Sequence, residues 1–154
     1  MQGQGDEQKP TEEQTPVVEE KVEEKKQADK NQTRQLKIKA GVVRRCMKDF
    51  TSYKKEEGLL KEKYEKARDE GNSDAHDLNK MMEHVQETSD TLVTCKPRIE
   101  NAIDELENVM ATYEEKPGEM FDILKTTEEW QQAEAIIAEG KAFVEAIEIW
   151  SSSI

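Results

Sequence analysis

The stretch Arg34 to Arg45 reads R-Q-L-K-I-K-A-G-V-V-R-R, and three properties of the chain change within it. A polar segment without aromatic residues ends, a strongly basic run begins, and an apolar heptad pattern starts that continues to Ala67. Leu36, Val43, Phe50 and Tyr64 fall at multiples of seven, offset by three from Cys46, Tyr53, Leu60 and Ala67. Alternating steps of three and four are the a/d seam of helices packed at a shallow angle. The spacing predicts a first helix from about Thr33 to Glu70. Glu57 takes an a position and interrupts the seam. Gly58 beside it costs about 1 kcal/mol against Ala inside a helix, so this turn is the weak one. Gly71 and Asn72 then supply positive-φ residues for a C-terminal stop.

Working outward, Asp74 with Asp77 opens a second helix. Leu78, Val85, Leu92, Ile99, Leu106 and Tyr113 follow at unbroken sevens. Pro97 lies within that pattern and predicts a bend rather than an end, because the spacing continues on both sides. Pro117-Gly118 is the stop. Met120, Phe121, Ile123 and Leu124 make the connection from Lys116 to Lys125 too apolar for a free loop, so it should close one end of the bundle. Thr126 with Glu129 reads as a capping box for a third helix, whose seam is Trp130, Ala133, Ile137, Val144 and Ile147. Helices of about 33–70, 74–115 and 127–150 joined by short turns predict an all-α fold. It is an elongated antiparallel three-helix bundle, up-down-up, over residues 33–154. Residues 1–32 carry few apolar side chains and read as a disordered acidic tail, too poor in buried surface to offset its ordering entropy.

Composition narrows the function. Charged residues make up 38% of the 154, aromatics 5%, and the mean hydropathy is −0.98. That balance excludes a large globular core and suits an interaction rod better than an enzyme with a pocket. No apolar run approaches the roughly 18 residues of a membrane span, which predicts a soluble, cytoplasmic protein. Cys46 and Cys95 have no zinc-type spacing and read as small apolar residues, and His76 and His84 are not a helical metal pair. No phosphate-loop, dinucleotide, zinc-protease or nucleophile-elbow pattern occurs, and no catalytic residue is assigned.

Charge is distributed unevenly. Arg34 to Lys66 holds 11 basic and 5 acidic residues, whereas everything after it holds 7 basic and 21 acidic. Two readings follow. Helix 1 cations could pair with helix 2 carboxylates, or Lys37, Arg44, Arg45 and Lys48, outside the a/d seam, could meet an acidic partner. Nucleic acid is not the expected partner, since the net charge is −12 and no aromatic residue interleaves the basic run.

The opening run closely resembles the first helix of the tubulin-folding cofactor A family, R-Q-(I/L)-K-I-K-x-G-V-V-(K/R)-R. Arg34, Gln35, Leu36, Lys37, Ile38, Lys39, Gly41, Val42, Val43, Arg44 and Arg45 all fit it. Cys95, Arg98, Ile99, Glu100 and Ala102 are similar to its C-x-x-R-(I/L)-E-x-A segment, and Glu129, Trp130 and Ala133 to its E-(Y/W)-x-x-A. The resemblance spans about Arg34 to Ala146. It departs in the N-terminal tail, in Met120 to Leu124 and at Gly140. It implies a three-helix bundle that binds β-tubulin after the cytosolic chaperonin and holds it for the later tubulin-folding cofactors. It also implies no nucleotide and no metal, hence no cofactors, and a cytoskeleton-associated place in the cell. A monomer or weak homodimer is expected. The rival readings are a structural coiled-coil subunit pairing with another helical protein and a membrane-surface helix hairpin.

Overall fold

The structure, a computed structural model, describes residues 27–152. The tail expected over residues 1–32 lies, up to residue 26, outside the described residues. Four helices follow: α1, Lys30–Glu70; α2, Ala75–Glu114; α3, Glu119–Lys125; and α4, Glu128–Ser152. α1 and α2 pack as an antiparallel hairpin. Lys39 bridges to Glu105 at 3.5 Å, and the Ser89 hydroxyl donates to the Glu57 carboxylate, as a tight register requires. α4 runs parallel to α1, with Phe50 meeting Phe143 and Trp150 edge-on at 5.6 and 6.1 Å. Along α2 it is antiparallel, bridged by Lys96–Glu148 at 3.2 Å and Lys141–Glu107 at 2.8 Å. These exposed ion pairs align the helices more than they stabilise them.

The helix ends follow local chemistry and shift two expected boundaries. α1 starts three residues earlier than the seam suggested, because the Asp29 carboxylate accepts from the amides of Asn31 (2.8 Å) and Gln32 (3.4 Å). Asp74 caps α2 by accepting from the Asp77 amide at 2.8 Å. Gly71 ends α1 at φ 69°, where a side chain would be strained. Asn72 does not share that conformation: among the described residues no non-glycine has positive φ. The expected capping box at Thr126 is also displaced by one residue. Thr126 is consumed in closing α3, its hydroxyl donating to the Ile123 carbonyl at 2.6 Å. The cap of α4 is therefore Thr127, whose hydroxyl accepts from the Trp130 amide at 3.2 Å.

The apolar connection is itself a short helix, α3. Its Leu124 is fully buried, and Phe121 packs edge-on against Trp130 at 5.5 Å, so it closes this end of the bundle as its composition predicts. The core continues through Leu36, Val43, Ile99, Ala102, Leu106, Ala133, Val144 and Ile147.

The seam of α1 differs from the a/d reading where three helices meet. Ala40 and Met47 are buried there, while Cys46 and Tyr53 are only half-buried. A helix touched by two neighbours needs a wider apolar stripe, and α4 covers the positions one residue beyond d. Past Glu57 no residue of α1 is fully buried, and the seam positions Leu60, Tyr64 and Ala67 are half-buried. Glu57 is itself buried, 7% exposed, with Ser89 and Lys61 (3.5 Å) as partners, so a carboxylate at a core position is tolerated. Among the described residues every buried side-chain nitrogen and oxygen is hydrogen-bonded.

Pro97 sits on the exposed face of α2, and the helix runs through it without interruption. The Val93 carbonyl thereby lacks the amide that a helix would offer it. Pro97→Ala restores that donor and removes the ring, and it is expected to raise unfolding stability by about 1–2 kcal/mol in urea titrations. A loss of stability would show that the packing of α2 needs the bend.

Both cysteines are free: Cys95 is buried at 2% exposure and Cys46 half-buried. Desolvation pushes both thiols above their ordinary value of 9.0, with nearby Asp49 adding to the rise and Arg98 opposing it. The folded state therefore holds these protons to higher pH than the unfolded chain does. Their contribution to stability is intact below pH 9.0 and declines as pH climbs past it. Alkylation at pH 8 should be slow until denaturant exposes both thiols. Rapid labelling of Cys95 in the folded chain would contradict this packing.

Candidate partner-binding surface

On α1, steps of seven, four and seven residues bring Lys37, Arg44, Lys48 and Lys55 onto one stripe. Arg45 is turned by one residue, about 100° around the axis. All five are exposed, and among the described residues none of the four expected positions, Lys37, Arg44, Arg45 and Lys48, makes an ion pair or a side-chain hydrogen bond. Charge pairing between α1 and α2 does occur, but it uses Lys39, on the flank that faces Glu105. The two readings of the basic helix thus apply to different flanks of it.

The stripe borders a groove between α1 and α4. One stretch of about 400 Å³ is lined by Arg44, Met47, Lys48, Thr51, Ser52, Glu139 and Phe143. The next, about 440 Å³, shares Thr51 and Phe143 and continues past Phe50, Lys54, Lys55, Ala146, Ile147 and Trp150. Its floor is apolar and aromatic. Its α1 wall is cationic, and the Lys54 ammonium stands 4.6 Å from the centre of the Trp150 ring. The structure therefore gathers Arg44 and Lys48 at this groove, and it leaves Lys37 and Arg45 outside its lining.

Sequence reasoning missed Lys54, Lys55, Phe143 and Trp150 as neighbours of these cations. The spacing of Lys55 from Lys48 carried a signal, since it extends the stripe. Nothing within α1 could have indicated the α4 wall, which depends on how far α4 is slid along α1.

Little here offers covalent chemistry. The buried polar residues among those described are Glu57 and Thr88, and Thr88 donates to the His84 carbonyl at 3.0 Å. Among the described residues no group of three or more His, Cys, Asp or Glu is placed to hold a metal ion, and no helix is long and apolar enough to cross a membrane.

Comparison with known proteins agrees with this architecture. The family model described as tubulin binding cofactor A matches residues 31–137, from the start of α1 into α4. Tubulin-specific chaperone A of Homo sapiens is 32% identical over 104 residues, covering 68% of this chain and 88% of the relative. The chaperone of the same name from Gallus gallus is 33% identical with the same coverage. Among solved structures, tubulin folding cofactor A from Arabidopsis thaliana superposes with a TM-score of 0.61 at 25% identity. It covers 74% of this chain and 99% of its own. The human tubulin chaperone cofactor A gives 0.54 at 32% identity, over 71% and 98%. The model match stops at residue 137, short of the Ala146 that the motif resemblance reached, so the α4 wall of the groove lies beyond it. With a matched model over most of the chain, relatives above 30% identity and the same helical frame, this chain belongs to the tubulin binding cofactor A family.

Proposed function

We propose that this chain is a chaperone that captures β-tubulin after its release from the cytosolic chaperonin. It holds the subunit for the later tubulin-folding cofactors that build the αβ dimer. The observation that carries this reading is the family match over α1 to α4, which contains the cationic first helix. The exposed cations Lys37, Arg44, Arg45 and Lys48, which make no ion pair among the described residues, support it further. Capture is stoichiometric: the rod covers client surface that would otherwise aggregate, and mass action holds the pair together. The work is done by binding alone, without catalysis, nucleotide or metal. The working unit is the helical body. The chain acts as a monomer or weak homodimer in the cytoplasm beside the cytoskeleton, and it engages neither nucleic acid nor membrane.

The test is capture from cytosol with the tagged chain, probed separately for the two tubulins, followed by gel filtration with purified β-tubulin. Enrichment of β- over α-tubulin and a complex of defined stoichiometry are expected. Equal recovery of both subunits would overturn the specificity, and recovery of neither would overturn the reading.

A further inference from the structure

We infer that the groove between α1 and α4 is a docking site for an acidic segment with apolar anchor residues, contributed by the captured subunit; this rests on the capture reading above. The decisive observation is local charge. In a chain of net charge −12, the groove is bordered by Arg44, Lys48, Lys54 and Lys55 against the single carboxylate of Glu139. Such a wall selects carboxylates. The floor selects something else as well. Phe143 and Trp150 are half-buried and Ala146 is exposed, so an aliphatic or aromatic side chain laid on them loses water from both surfaces.

Dimensions set the length of the occupant. Arg44 to Lys55 spans about 16 Å of helix axis, three turns of an opposing helix or about five extended residues. A purely charged ligand would leave the aromatic floor wet, and a purely apolar one would leave the cationic wall without carboxylates. Nucleic acid fits less well, because Lys54 already covers the Trp150 face on which a base would stack. The α4 wall lies beyond the stretch matched by the family model.

The experiment uses the full chain and labelled peptides of ~16 residues, sized to this span plus a turn. One peptide carries Glu with Leu and Phe anchors at helical spacing, a second has the Glu without anchors, and a third has the anchors with Lys. Oligo-dT and phosphatidylserine vesicles are the competing arms. The anchored acidic peptide alone should bind, shifting Trp150 emission. Thr51→Glu with Ala146→Glu places carboxylates at two exposed positions of the groove, and it should weaken both this peptide and β-tubulin capture at least about tenfold. Lys63→Gln with Lys66→Gln, an equal charge change elsewhere on α1, should leave peptide binding unchanged. Equal binding of the anchorless peptide, or tighter binding of oligo-dT or vesicles, overturns the inference. If the groove variant loses the peptide and still captures β-tubulin, the segment is not the captured subunit's, and the inference fails while the capture reading stands. A wild-type chain that captures no tubulin overturns the capture reading and the source of the segment, and the peptide arm still decides the chemistry of the groove.

Discussion

Gly140→Leu is expected to destabilise the bundle by more than about 3 kcal/mol, at the upper end of what overpacking costs. Gly140 is buried where α4 crosses the α1–α2 hairpin. A Cβ added there would stand 2.8 Å from Ile103 Cδ1, 3.1 Å from Ile103 Cγ1 and 3.3 Å from Val43 Cγ1. A leucine has no direction in which to extend without displacing a helix. Ala is a closer contest, since its gain of about 1 kcal/mol in helix propensity opposes the contact with Ile103. Gly140→Ala should therefore lie within about 1 kcal/mol of the parent. Combining Gly140→Leu with Ile103→Ala should recover part of the loss, because the shortened residue vacates the contested space. Urea unfolding followed by circular dichroism measures all three. A Leu variant as stable as the parent would mean that α4 does not approach this closely.

Reversing two of the groove cations, Arg44→Glu with Lys48→Glu, should weaken β-tubulin capture more than about tenfold at low salt. The deficit should narrow as salt rises, because screening removes the same attraction from the parent. Helicity and melting temperature should change little. Among the described residues neither side chain has an ion-pair partner, and both are exposed. If the charges served folding instead, the melting temperature would fall and the protein remaining folded would capture normally. Measuring both quantities on one preparation separates these outcomes.

Much of the frame was legible from spacing. Unbroken sevens from Leu78 to Tyr113 fix α2, and the carboxylates at Asp74 and the glycine at Gly71 mark the turn before it. The first turn of α1 was not, because Asp29 stands in a polar segment where no apolar periodicity announces a helix. Burial of Ala40 and Met47 was hidden for another reason. The a/d pattern describes a helix with one neighbour, and which extra positions a second neighbour covers depends on where it lies. Gly140 was visible in the sequence as a departure from the family, but its reason, the approach of Ile103 and Val43, is a contact between three separate helices. The groove belongs to the same category. Arg44 and Lys48 could be singled out on α1, yet Phe143 and Trp150 join them only through the relative slide of two elements.

α4 ends at Ser152 while the α1–α2 hairpin continues to Gly71. No residue of α1 beyond Glu57 is buried, and none of α2 before Val85. Among the described residues the molecule thus has a three-helix barrel end and a two-helix fork end. Amide protection should step down along both long helices near Glu57 and Val85, with the fork exchanging through local openings while the barrel waits for global unfolding. A client gripped at the barrel would then leave the fork free to splay and conform to whatever surface lies alongside.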